Sequence, residues 1–179
     1  MLTQVTDLEA ELDALLRRYS ASGGVLDYMF FQGVEPGTPL QLHRAAALSG
    51  MAILVGPTFD GSKLAGEPVS YRTFWGTDDV EKKPIGQNAW SIPNIDGYKT
   101  AFFHPPHHMR GESRELNELF AAINRFVLGK PPESAEIFAW STDWSRYFDA
   151  GHEWWGAFYW TIRPADSQRF TVIGASTTD

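Results

Sequence analysis

Two groups of side chains in this sequence have types and spacings suited to chemistry. The first is His104, His107 and His108, in the run Phe103-His104-Pro105-Pro106-His107-His108. Three neighbouring imidazoles can hold zinc or another borderline metal and leave one position open for water, as hydrolytic metal enzymes require. A Pro-Pro pair favours extended backbone that splays its side chains. The expectation is therefore an exposed His-rich loop, with a metal site as the weaker alternative.

The second group lies between Phe138 and Trp160. Of the chain's 7 Trp, 6 Tyr and 12 Phe, ten stand in this stretch, including five of the Trp. Asp143, Arg146, Asp149, His152 and Glu153 are interleaved with them. Trp, Tyr and Arg supply most of the energy where a surface binds a partner, and acidic neighbours select a basic one. The candidate partner-binding residues are Asp143, Trp144, Tyr147, Asp149, Glu153, Trp154 and Trp155. The competing expectation is structural: Trp140, Phe158 and Trp160 fill a core, while Trp144, Phe148 and Trp154 seal one end of a sheet. The same mixture suits a sugar, because rings cover apolar pyranose faces and carboxylates bond hydroxyls. Asp143, Asp149 and Glu153 would then supply the acid and base of glycoside hydrolysis, if two carboxyls stand roughly 5 to 9.5 Å apart.

Familiar catalytic motifs are missing. Gly56-Pro57-Thr58-Phe59-Asp60-Gly61-Ser62-Lys63 resembles a phosphate loop, but Ser precedes Lys, and the following Leu64-Ala65-Gly66-Glu67-Pro68 cannot open a stable helix. It reads as a turn. No G-x-G and no G-x-S-x-G occurs, which removes the dinucleotide fingerprint and the nucleophile elbow. His152-Glu153 begins like a zincin helix, yet Gly156 occupies the place of the second His. His43 and His152 stand alone and suggest no role. No cofactor is expected.

The charge balance narrows the partner. In 179 residues, 15 Lys and Arg face 22 Asp and Glu, a net charge of −7, so the counterion release that drives nucleic-acid binding has no support. Zero Cys removes disulfides, thiolate nucleophiles and zinc-thiolate sites. The first residues lack a basic-then-apolar leader, and no apolar run approaches the ~18 residues of a membrane span. These features predict a soluble cytoplasmic protein with no membrane partner. The leading functional expectation is a non-enzymatic module that masks a more basic protein partner, in the manner of a small immunity-type inhibitor. The alternatives are a metal-dependent hydrolase using the His cluster, a carbohydrate-active protein using Asp149 and Glu153, and a subunit whose ring-rich segment is a homo-oligomer interface.

The elements that must position these residues follow from periodicity and punctuation. Val5, Leu8, Leu12, Leu15, Leu16 and Tyr19 predict an amphipathic helix behind a Thr6-to-Glu9 capping box, ending before Gly23-Gly24. Val25 to Phe31 reads as a strand. Thr38-Pro39-Leu40-Gln41 is a second capping box, with Gly50 as the stop and Ala52 to Val55 as a buried strand. Val69 to Trp75 and Tyr98 to Phe103 are strand candidates, separated by a loop whose Asp78-to-Lys83 charge cluster reads as solvated. Ser113 caps the clearest helix, with Leu116, Leu119, Phe120, Ile123, Phe126 and Val127 in one stripe. Glu136 to Trp140, Gly156 to Arg163 and Arg169 to Ser176 are three strands, the last two an antiparallel hairpin, followed by a short polar tail. The sum is a single α+β domain over residues 1–179, a largely antiparallel sheet with two or three packed helices.

Overall fold

The three strands expected late in the chain form the centre of the fold. The computed structural model describes residues 2–33, 36–76, 96–153, 155–165 and 167–176. The Asp78-to-Lys83 cluster, Trp154 and the tail from Thr177 lie outside the described residues. Strands β4 (Glu136–Trp140), β5 (Ala157–Arg163) and β6 (Arg169–Ser176) pair antiparallel, with Trp160 opposite both Ala139 and Ile173. β2 (Asp27–Gln32) runs along the other side of β6, and two short strands, β1 (Thr3–Gln4) and β3 (Gly66–Pro68), end the sheet in the order β1-β2-β6-β5-β4-β3. Every pairing is antiparallel, and the fold is α+β.

Both faces of this sheet are covered, whereas antiparallel sheets commonly keep one face wet. Pleating sends Phe158, Trp160 and Ile162 to one side and Tyr159 and Thr161 to the other. The first side packs against α1 (Ala10–Ala21), α3 (Tyr71–Trp75), α4 (Tyr98–Phe103) and α5 (Ser113–Val127), around Tyr19, Phe74, Tyr98, Phe102, Phe120 and Trp160. The second side packs against α2 (Pro39–Val55), around Met29, Ala47, Met51, Phe138, Tyr159 and Val172. Central strands with two buried faces need large apolar residues at every position. That requirement accounts for much of the aromatic density in and around β4 and β5.

Several local expectations give way to tertiary packing. Ala52 to Val55 is the last turn of α2, not a strand, and Gly56 at φ 70° ends the helix in place of Gly50. Gly50 sits mid-helix because Tyr159 Oη and Val172 Cγ1 both come within 2.8 Å of the place a Cβ would occupy. Residues 71–75 form a helix because the Ser70 hydroxyl accepts from the Thr73 amide at 3.0 Å, leaving β3 one turn earlier. Tyr98 to Phe103 is helical with all six residues buried, so no polar face marks its period. The Thr6 capping box does not form: α1 starts at Ala10, and the Glu9 carboxylate reaches Arg169 of β6 at 3.0 Å instead. α5 begins one residue early, with Glu112 as its cap. The Thr38 capping box does form, complete with Pro39 in the first turn.

Candidate functional site

Ser141 to Gly156 joins β4 to β5 and buries Trp144, Phe148 and Trp155. Its polar groups tie it to the rest of the molecule: the Ser141 amide donates to the Ala65 carbonyl at 2.7 Å, and the Ser145 hydroxyl donates to Met51 Sδ of α2 at 3.2 Å. The Tyr147 hydroxyl donates to Asp27 Oδ2 at 2.6 Å, and the Gly151 amide to Ser176 Oγ at 3.0 Å. Partial burial pushes the Asp27 carboxyl above its ordinary range, against the pull of the Tyr147 hydrogen bond. Burial also raises the Tyr147 phenol, with the Asp27 charge adding to it, so the phenol keeps the proton it donates.

The six described candidate residues divide accordingly. Trp144 is 4% exposed and Trp155 is 8% exposed. Their indole N–H groups donate to the carbonyls of Ser141 and His104. Both indoles are thus enclosed, and Tyr147 is half-buried against Phe148. Asp143, Asp149 and Glu153 face solvent, as do Arg146 and His152. Asp149, His152 and Glu153 ride on the short helix α6 (Asp149–Glu153), and His152 Nε2 is hydrogen-bonded to Thr142 Oγ1 at 2.8 Å. The structure therefore leaves the three acids exposed while sending the described indoles to the core.

An open cleft of about 380 Å³ adjoins the start of this segment, lined by Ala65, Gly66, Glu67, Ala139, Trp140 and Ser141. Its one carboxylate is Glu67, and the Ser141 hydroxyl already accepts the Ala65 amide at 3.1 Å. The cleft offers shape without an acid and base pair.

The His-rich run forms the end of α4 and a turn. His104 caps the helix, its carbonyl occupied by Trp155; His107 is exposed; His108 holds φ 60°. Among the described residues, no three His, Asp or Glu side chains gather as a metal-binding group. No described helix is long and apolar enough to cross a membrane.

The most organised polar cluster was given no role by the sequence. His43, on α2, is fully buried between the rings of Phe138 and Phe170. Its Nδ1 is 2.8 Å from Thr161 Oγ1, which also accepts the Trp140 indole N–H at 2.9 Å. Its Nε2 has no hydrogen-bond partner and faces Glu136 Oε2 at 3.6 Å, and that carboxylate is bound by Arg163. The Glu136 carboxylate favours the tautomer with the imidazole hydrogen on Nε2, and Thr161, which accepts the indole N–H, then donates its hydroxyl hydrogen to Nδ1. The opposite tautomer would set a lone pair against that charge. Burial pulls the His43 pKa down to about 4, outweighing the Glu136 carboxylate, which favours the charged form. Hydroxyl, imidazole and carboxylate in line resemble a hydrolytic triad, but Thr161 is fully buried and its oxygen is engaged, so no substrate can reach it. His43 shows in sequence only as a polar residue near Ala46 and Ala47; its partners lie more than ninety positions away.

No protein-family model matches this chain, and no curated protein matches it.

Proposed function

We propose that the protein is a non-enzymatic binding module of the cytoplasm, and that it covers a more basic protein through the outer face of residues 143–153. The observation that carries this reading is the sorting of one segment: the Trp144 and Trp155 indoles are tied inward while Asp143, Asp149 and Glu153 stay in solvent. A face built this way is held in shape before contact, which lowers the ordering cost of association. Its acids, within a chain of net charge −7, speed encounter with a cationic surface. Occlusion of a partner in the manner of an immunity-type inhibitor requires no chemistry beyond this. The contact is carried by carboxylates and the Arg146 and His152 tips, with the enclosed indoles serving as the support beneath.

The test compares the wild type with an Asp143→Asn, Asp149→Asn, Glu153→Gln variant in affinity capture from native lysate, followed by kinetics on the captured protein. The expected result is a basic protein retained by the wild type, whose association with the variant slows by about tenfold at low salt. The difference should collapse near 1 M salt, where screening reaches ~3 Å. Identical capture by both proteins would remove the reading. Self-association of the chain, seen by sedimentation over a concentration series, would replace it with a homo-oligomer interface.

A further inference from the structure

The His43 cluster sits between α2 and the sheet, where nothing in the binding reading uses it. With its hydrogen on Nε2, which faces Glu136 without a hydrogen-bond partner, the imidazole accepts a hydrogen bond from Thr161 through Nδ1. Adding a proton changes Nδ1 from acceptor to donor. Thr161 then faces two donors, the Trp140 indole and the imidazolium, and its own proton loses its acceptor inside a dry interface. The new charge lies in a layer bounded by the Phe138 and Phe170 rings.

We propose that α2 is held on the sheet by an acid-releasable latch: protonation of His43 reverses its hydrogen bond with Thr161 and loosens the helix from the face formed by β4, β5 and β6. The charged groups on the surrounding elements favour release over a new ion pair. Among the described residues, Glu136 of β4 is the one carboxylate facing the ring, and Arg163 of β5 already binds it at 2.5 Å. On β6, Arg169 is paired with Glu9 at 3.0 Å. Glu67 of β3 is exposed at the cleft. Arg44, next on α2, donates to the Gly61 carbonyl at 2.6 Å. An imidazolium at position 43 must therefore compete with a guanidinium for the Glu136 carboxylate. Glu136 is 40% exposed in its side chain, which puts one end of the cluster at the solvent boundary.

The same helix receives the hydroxyls of Ser145 at Met51 and Tyr159 at the Ala47 carbonyl. Loosening it would withdraw support from residues 141–156, and acid-driven loss of a partner would follow. That consequence rests on the binding reading above; the latch itself does not, so its test uses the free protein.

The experiment is NMR of the full chain between pH 7.5 and 2. It follows the His43 ring, the Trp140 indole N–H and amide exchange in α2, with α5 as the internal reference. The expected result is one midpoint near pH 4 shared by His43 and the Trp140 indole. Below it, α2 amides should exchange at least tenfold faster relative to α5, after correction for intrinsic rates. Glu136→Gln removes the carboxylate that favours the imidazolium and should move the midpoint down by a unit or more. His43→Gln, where it folds, should abolish the Trp140 transition. The latch is overturned by His43 titrating near 6.5, by an indole signal that ignores it, by α2 and α5 opening in step, or by an unmoved midpoint in Glu136→Gln.

Discussion

Thr161 shows how much one buried hydroxyl can organise. It accepts a hydrogen bond from the Trp140 indole and, with the imidazole hydrogen on Nε2, donates one to His43 Nδ1, so Thr161→Val strands a donor and an acceptor together. The expected cost is about 1–3 kcal/mol for each partner left unpaired, read by denaturant unfolding, and Thr161→Ser should recover most of it. The pH dependence of stability follows from His43 with a definite sign. Its folded pKa lies below the unfolded value of 6.5, so below pH 6.5 the unfolded chain binds a proton that the folded chain refuses. Stability is therefore full above about pH 6.5 and declines until about pH 4, and His43→Gln should flatten that decline. Asp27 has the opposite sign. Its raised carboxyl makes the folded state favour the protonated form, so stability falls as pH rises through the carboxylate range. Asp27→Asn keeps an acceptor for Tyr147 and removes the desolvated charge; thermal unfolding at pH 7 should show equal or greater stability, and Asp27→Ala should show less. None of these roles is legible locally. His43 and Glu136 are 93 positions apart in the sequence, and residue type alone gives no sign that α2 will set one over the other. The exposed acids were legible, because Asp and Glu between inward rings have few other places to go.

At the scale of elements, the segments that sequence reading identified are those whose own residues make their boundaries, and the misread segments are those bounded by neighbours. Thr38, Gln41 and Pro39 close the start of α2 without outside help. Its continuation past Gly50 depends on Tyr159 and Val172, which the helix must approach closely. A glycine there looks like a terminator because glycines often terminate helices. Gly50→Ala separates the two meanings. In an exposed helix it would stabilise by about 1 kcal/mol. Here the added carbon meets Tyr159 Oη and Val172 Cγ1 at 2.8 Å, and overpacking should cost about 1–3 kcal/mol, with the net loss measured by denaturant unfolding. α4 was hidden for another reason: a short helix buried on every side has no polar stripe, and its aromatic and Thr composition imitates a strand.

For the whole molecule, the decisive property is that a single antiparallel sheet serves two cores. The hairpin of β5 and β6 was legible from alternation, and the α+β class followed from it. Coverage of both faces was not, because alternation between two kinds of apolar residue carries no polar signal to read. It also accounts for the burial of Trp140, Trp144, Trp155 and Trp160. Trp144→Ala and Trp155→Ala should each cost about 3–5 kcal/mol, lowering Tm by roughly 10 °C in calorimetry. By contrast, neutralising Asp143, Asp149 and Glu153 should leave Tm nearly unchanged. The arrangement of the strands bears on how the folded protein behaves in a crowd. Eight-residue β6, with its Phe-Thr-Val-Ile-Gly-Ala run, is the kind of sequence that seeds fibrils when its amides are free, and it lies in the interior with β2 on one flank and β5 on the other. The outermost described strands are two and three residues long, and one ends in Pro68. A neighbouring chain finds almost no backbone there to extend, so the native protein should stay dispersed at concentrations where its own central strands, as free peptides, would form amyloid.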